Sequence, residues 1–158
     1  MKKIFLLIFI FLHFHSASLA KNLKFSKIAS LDKPWGSSFI SNDEIIITEK
    51  SGKIKIVNTL NGNVAEIKHN LNFLEYGQGG LLDILYKDNF IYVSYTENRA
   101  NWKTSTSIAK AKLDRQNLLF KNIFQANPPI ESGYHFGSRL AIKDNYLYAS
   151  VGERGKGM

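Results

Sequence analysis

Apolar and polar positions alternate along most of this chain in short runs. Lys53-Ile-Lys-Ile-Val57 has the period of two that sets one face of a strand on a core and the other in water. Runs rich in Ile, Val, Tyr and Phe recur at Glu44–Thr48, Val64–Lys68, Leu81–Tyr86, Phe90–Tyr95, Ser107–Leu113, Arg139–Lys143 and Tyr146–Val151. Turn signals separate them: Ser51-Gly52, Asn61-Gly62, Lys87-Asp88-Asn89 and Lys143-Asp144-Asn145. Long apolar stripes of period 3.6 are absent, so the pattern predicts an all-β protein.

A repeat underlies the strands. FISNDEIIITEKSG (39–52), LYKDNFIYVSYTEN (85–98) and AIKDNYLYASVGER (141–154) share one plan: an apolar strand, a turn carrying Asp43, Asp88 or Asp144, then a strand of branched or aromatic residues. The aspartates lie 45 and 56 positions apart, the size of a propeller blade. The common order and strand lengths favour a β-propeller over a sandwich.

The N-terminus changes the picture of where this domain works. Met1-Lys2-Lys3, an apolar run over 4–12 and the small residues Ser18-Leu19-Ala20 form the basic, apolar and small-residue order of a secretory signal peptide, too short to span a bilayer. Cleavage after Ala20 leaves residues 21–158, enough for one domain, with no membrane span and a periplasmic or secreted destination. The chain has no cysteine, so stability rests on a core or a metal rather than on disulfides. Loss of Lys2 and Lys3 leaves 19 basic against 13 acidic residues. The lysines are dispersed, from Lys24 and Lys27 through Lys50, Lys53 and Lys55, which speaks for a solvated surface and against nucleic acid as a partner.

Two stretches carry candidate chemistry. In YGQGGLLDILY (76–86), three glycines surround Gln78; they allow positive φ and close approach to a flat ligand, and the amide both donates and accepts. A plain glycine-rich turn entering a strand explains the same residues. In SGYHFGSRLAI (132–142), His135 sits between Gly133 and Gly137, where it is either a base or ordinary loop filling. A histidine titrates near pH 6.5 and suits a general base.

Taken together, KPWGSSF (33–39), IIITEKSGKIKIV (45–57), GQGGLLDILY (77–86), YVSYTEN (92–98), YHFGSRLAI (134–142) and LYASVGERG (147–155) resemble the soluble quinoprotein sugar dehydrogenases, in the aldose sugar dehydrogenase branch of the glucose/sorbosone dehydrogenase family. The resemblance implies a six-bladed propeller with pyrroloquinoline quinone (PQQ) at one end of its axis, assisted by calcium. It implies oxidation of an aldose at the anomeric carbon to a lactone, with an external electron acceptor. His135 then matches the general base and Gln78 a quinone contact. By the same resemblance the chain holds only N-terminal blades: the main arginine contacts to the quinone, the calcium ligands and the ring-closing strand are expected beyond residue 158, and none of the metal ligands within it. Such a partial ring is expected to be inactive alone.

Other residues receive plainer readings. Arg139 and Arg154 are expected to fix loops rather than hold the cofactor, and Asp83 to bond a neighbouring loop. His69 is expected on the surface, and Trp35 and Trp102 between blades. Glucose-specific relatives carry an aspartate directly before the histidine; Tyr134 stands there in this chain, which argues against glucose specificity and against a base oriented by a carboxylate. The competing function is a non-catalytic propeller module that binds sugar or protein. A metal-dependent lactonase ranks last, since no cluster of inward-facing carboxylates is evident.

Overall fold

The computed structural model describes residues 23–156; the expected signal peptide, residues 1–20, lies outside them. The described residues form eleven strands and no helix, as the alternating pattern requires. In the first sheet, β1 (Pro34–Phe39), β2 (Glu44–Glu49), β3 (Lys53–Asn58) and β4 (Val64–His69) follow one another antiparallel, and the short β8 (Asn117–Leu118) pairs parallel with β4. The second sheet holds β5 (Leu81–Lys87), β6 (Phe90–Asn98), β7 (Thr104–Lys112) and β9 (Lys121–Gln125) in that order. A third sheet is the hairpin β10 (Gly137–Lys143) and β11 (Tyr146–Val151). These are two propeller blades and the opening hairpin of a third. The first strands of the blades pack side by side, β1 against β5 and β5 against β10.

The threefold sequence repeat reappears as a repeated backbone device. Each opening hairpin has one bulge near the start of its inner strand, between Pro34 and Ser37, Leu81 and Ile84, and Gly137 and Leu140. The extra residue frees a backbone N–H, and in all three blades a hydroxyl on the second strand accepts it: Gly36 to Thr48 Oγ1, Asp83 to Ser94 Oγ and Arg139 to Ser150 Oγ, each at 3.0 Å. The same hydroxyl donates to the next blade. Thr48 Oγ1 bonds the Leu82 carbonyl (2.5 Å) and Ser94 Oγ the Ser138 carbonyl (2.6 Å). Thr48, Ser94 and Ser150 occupy equivalent positions in the repeat, and Thr48 and Ser94 stitch their bulge to the next blade's.

Between the first two blades lies the apolar core, with Ile46, Ile54, Ile56, Leu81, Ile84, Ile91 and Val93 almost fully buried. Strands β8 and β9 were not marked by the alternating pattern. Lys121–Gln125 is exposed along its whole length, an edge strand held by pairing rather than burial. Three expectations are overturned. His69 is half-buried with both ring nitrogens engaged: Nε2 lies 2.7 Å from the Gly52 carbonyl, and Nδ1 accepts the Leu71 N–H. Trp35 and Trp102 are exposed rather than wedged between blades; beside Trp35 the inner strands approach too closely to admit an indole. A Cβ on Gly36 would stand 2.7 Å from the Asp83 Cα.

Candidate functional site

Hairpin register decides which residues meet. The aspartate turns lie at one end of the blades, and the starts of β1, β5 and β10 lie at the other. The segments around 50–52, 70–80, 99–103, 131–136 and 152–156 therefore gather at that second end. Gln78 and His135, 57 residues apart, are brought into direct contact there: the Gln78 side-chain carbonyl accepts the backbone N–H of His135 at 2.9 Å. Gln78 N–H in turn donates to the Gly133 carbonyl (2.7 Å). The structure thus places together both residues singled out in the sequence.

The glycines work differently from the expectation. A Cβ on Gly77 would meet the Gly133 carbonyl at 2.4 Å, one on Gly80 the Lys50 carbonyl at 2.1 Å, and one on Gly152 the His135 carbonyl at 1.9 Å. The missing side chains let loop press on loop, rather than opening space for a ligand. Lys50 completes the packing, with its ammonium on the Gly77 carbonyl at 2.5 Å. It is a contributor that the sequence reading missed.

His135 has a left-handed backbone, φ 48°, a conformation that costs a non-glycine residue energy and persists only where its surroundings impose it. Gln78 holds its N–H, and its carbonyl accepts the Arg154 N–H (3.3 Å). The imidazole is left 55 % exposed, with Nδ1 against Glu153 Oε1. Glu153 is itself seated by the N–H groups of Gly155 and Lys156 on Oε2. A carboxylate at Nδ1 selects the tautomer with the proton there and leaves the Nε2 lone pair for chemistry. The expectation of a base without an orienting carboxylate is therefore corrected: the carboxylate comes from the segment that follows β11, not from the residue before the histidine. Tyr134 stands beside it, its ring 6.4 Å from the imidazole at 70° and 59 % exposed.

Arg154 is buried beneath this loop. It donates from Nε to the Tyr134 carbonyl (3.0 Å) and from its terminal nitrogens to the Thr104 carbonyl (3.1 Å), Thr104 Oγ1 (2.6 Å) and the Ser132 carbonyl. Its guanidinium lies 3.8 Å from the centre of the Phe136 ring. Burial lowers its pKa from the ordinary arginine value. Arg139 reaches Asp83, whose Oδ2 accepts the Leu140 N–H at 2.8 Å. Both arginines and Asp83 tie chain to chain, as expected of them. Among the described residues no group of three His, Asp or Glu side chains is placed to hold a metal ion.

A family model described as Glucose / Sorbosone dehydrogenase matches residues 31–158. The chain belongs to that family. It is 30 % identical over 133 residues to the aldose sugar dehydrogenase YliI of Escherichia coli (strain K12), covering 78 % of this chain and 36 % of that protein. A second relative, the Synechocystis sp. protein slr1608, is 32 % identical over 143 residues, covering 81 % of this chain and 34 % of the relative. Among solved structures, the apo form of the soluble aldose sugar dehydrogenase from E. coli superposes with a TM-score of 0.74 at 27 % identity, over 80 % of this chain and 39 % of that one. The PQQ-bound aldose sugar dehydrogenase from Streptomyces coelicolor has the same fold, with a TM-score of 0.72 at 23 % identity over 83 % and 41 %. This member of the glucose/sorbosone dehydrogenase family thus spans roughly two-fifths or less of its relatives' length. Two blades and the start of a third over that share correspond to part of a six-bladed ring.

Proposed function

We propose that this chain is the N-terminal part of a PQQ-dependent dehydrogenase that oxidises aldoses at the anomeric carbon to lactones, with His135 as the general base. The observation that carries the reading is the Glu153–His135–Gln78 arrangement, in which a carboxylate holds Nδ1 and a side-chain carbonyl holds the backbone of the same residue. The residues present fit one edge of a flat, carbonyl-rich cofactor. Gln78 is exposed and spends its oxygen on His135, leaving its amide N–H groups as donors beside an exposed imidazole. The quinone, when bound, supplies the hydride acceptor. The chain's own residues do the rest: Nε2 of His135 takes the proton of the anomeric hydroxyl as C1 loses hydride, and Glu153 holds the charge that forms on the ring. Arg154 is committed to protein partners, whereas Arg139 touches Asp83 through one nitrogen and is otherwise exposed; the main arginine contacts to the cofactor's carboxylates are assigned to residues outside this chain. Ligands for calcium are likewise assigned to residues outside this chain. An external electron acceptor and export with a mature N-terminus at Lys21 belong to the same reading; N-terminal sequencing of secreted protein that began at Met1 would remove the export.

In a ring-complete form, His135→Ala should lower PQQ-dependent, dye-linked aldose oxidation by about 10²–10⁴-fold, the usual share of acid–base catalysis, with quinone binding retained. Gln78→Ala should weaken quinone binding instead, read by quinone absorbance on titration. Near-parental turnover in His135→Ala would overturn the assignment.

A further inference from the structure

Trp102 projects at the end of the molecule that carries His135, with its side chain 68 % exposed. Its position is imposed by the backbone. Ala100, Asn101 and Trp102 all have left-handed conformations, with φ of 66°, 50° and 59°, a run that is unfavourable at each non-glycine residue. The loop is closed by Arg99 N–H to the Lys103 carbonyl (2.9 Å), Lys103 N–H to the Ala100 carbonyl (3.0 Å) and Ala100 N–H to Asn98 Oδ1 (3.2 Å). These bonds hold an indole away from the core.

Beside the indole lies an open hollow of about 530 Å³, lined by Leu74, Asn98, Ala100, Asn101 and Trp102. A broad aromatic face and two carboxamides suit a sugar ring: the C–H face stacks on the indole, while the amides donate to and accept from hydroxyls. The hollow opens at the same end of the blades as the candidate site. Leu74 precedes by two residues Tyr76, whose ring lies against Gly133. Trp102 precedes by two residues Thr104, whose Oγ1 donates to the Ser132 carbonyl at 3.0 Å. Trp102 and His135 therefore lie at the same end of the blades.

We propose that this hollow is a second sugar subsite, so that the aldose presented to His135 is the reducing end of an oligosaccharide whose further rings rest on Trp102. The inference rests on the reading of His135 as an aldose base, and its test requires neither quinone nor turnover. The full chain carrying Trp35→Phe keeps Trp102 as its single tryptophan. Titrated with maltotriose, cellotriose and glucose, its fluorescence should respond saturably to at least one trisaccharide, with affinity about tenfold or more above that for glucose. Saturation-transfer NMR on that trisaccharide should lose its signal in Trp102→Ala and Asn101→Ala and keep it in Trp102→Phe, with backbone amide spectra confirming that the variants remain folded. No saturable response to either trisaccharide, equal affinity for glucose, or signal surviving in Trp102→Ala overturns the subsite. Trisaccharide binding beside an inactive His135 pathway would leave the subsite standing and remove the dehydrogenase reading.

Discussion

At His135, a strained backbone, a carboxylate and a carboxamide act on one residue. Glu153→Gln tests the carboxylate's part. The amide keeps the size of the side chain but can offer its NH₂ to Nδ1, so the Nε2-protonated tautomer gains ground and the lone pair moves to the wrong nitrogen. Nitrogen-detected NMR of the imidazole should show that change, and a spectrum identical to the parent's would deny Glu153 its orienting role. His135 and Gln78 were legible in the sequence because unusual residue types sit between glycines. Glu153 carried no such mark, yet the hairpin contained it: with Lys143 paired to Tyr146 across a two-residue turn and one bulge residue allowed, residue 153 falls opposite 135. The bulge was the hidden quantity, since a one-residue slip would have set Arg154 there instead.

At the scale of elements, the hydroxyls of Thr48, Ser94 and Ser150 do equal work within a blade and unequal work between blades. Ser94→Ala removes the acceptor for the Asp83 N–H and the donor to the Ser138 carbonyl, leaving buried polar groups unpaired at a cost of about 1–3 kcal/mol. Ser150 is exposed and serves the Arg139 N–H, so Ser150→Ala should cost roughly 0.5 kcal/mol or less in the same urea titration. Equal losses would show that the stitch between blades contributes nothing. The strand pattern was read correctly where burial alternates, in β3, and missed where pairing alone holds the strand, in β9. Burial also sets a pH limit. Tyr95 is enclosed in β6, its hydroxyl donating to Asn122 Oδ1 at 2.7 Å, and desolvation, aided by the Glu97 charge, pushes it up to about 12. An unfolded tyrosine titrates near 10, so between about pH 10 and 12 the unfolded state releases a proton that the folded state keeps. Stability is full below that window and falls as pH rises through it. Tyr95→Phe should flatten the loss, and an unchanged alkaline transition would place its origin elsewhere.

At the scale of the molecule, the hairpin β10–β11 leaves one blade's worth of surface uncovered. Leu147, Ala149 and Val151 face Ile108, Ile123 and Phe124 across an open apolar gap of about 380 Å³, and Tyr146, Tyr148 and Val151 are largely exposed. Blades in a ring cover such faces for one another, and an open strand edge beside an apolar face is a site of association. The gap faces a free strand edge, so contact between copies of the 158-residue chain should bury it. The cost of ordering the Gln78 and His135 loops around a quinone is then offset by only one edge of contacts. The 158-residue chain alone should therefore sediment as concentration-dependent oligomers and show no PQQ-dependent aldose oxidation with calcium present. Val151→Asp, which puts a charge into the gap, should shift the distribution toward monomer without restoring activity. A monodisperse parental monomer with a cooperative thermal transition and aldose-dependent dye reduction would refute this, and would mean that two blades and a hairpin suffice for the site.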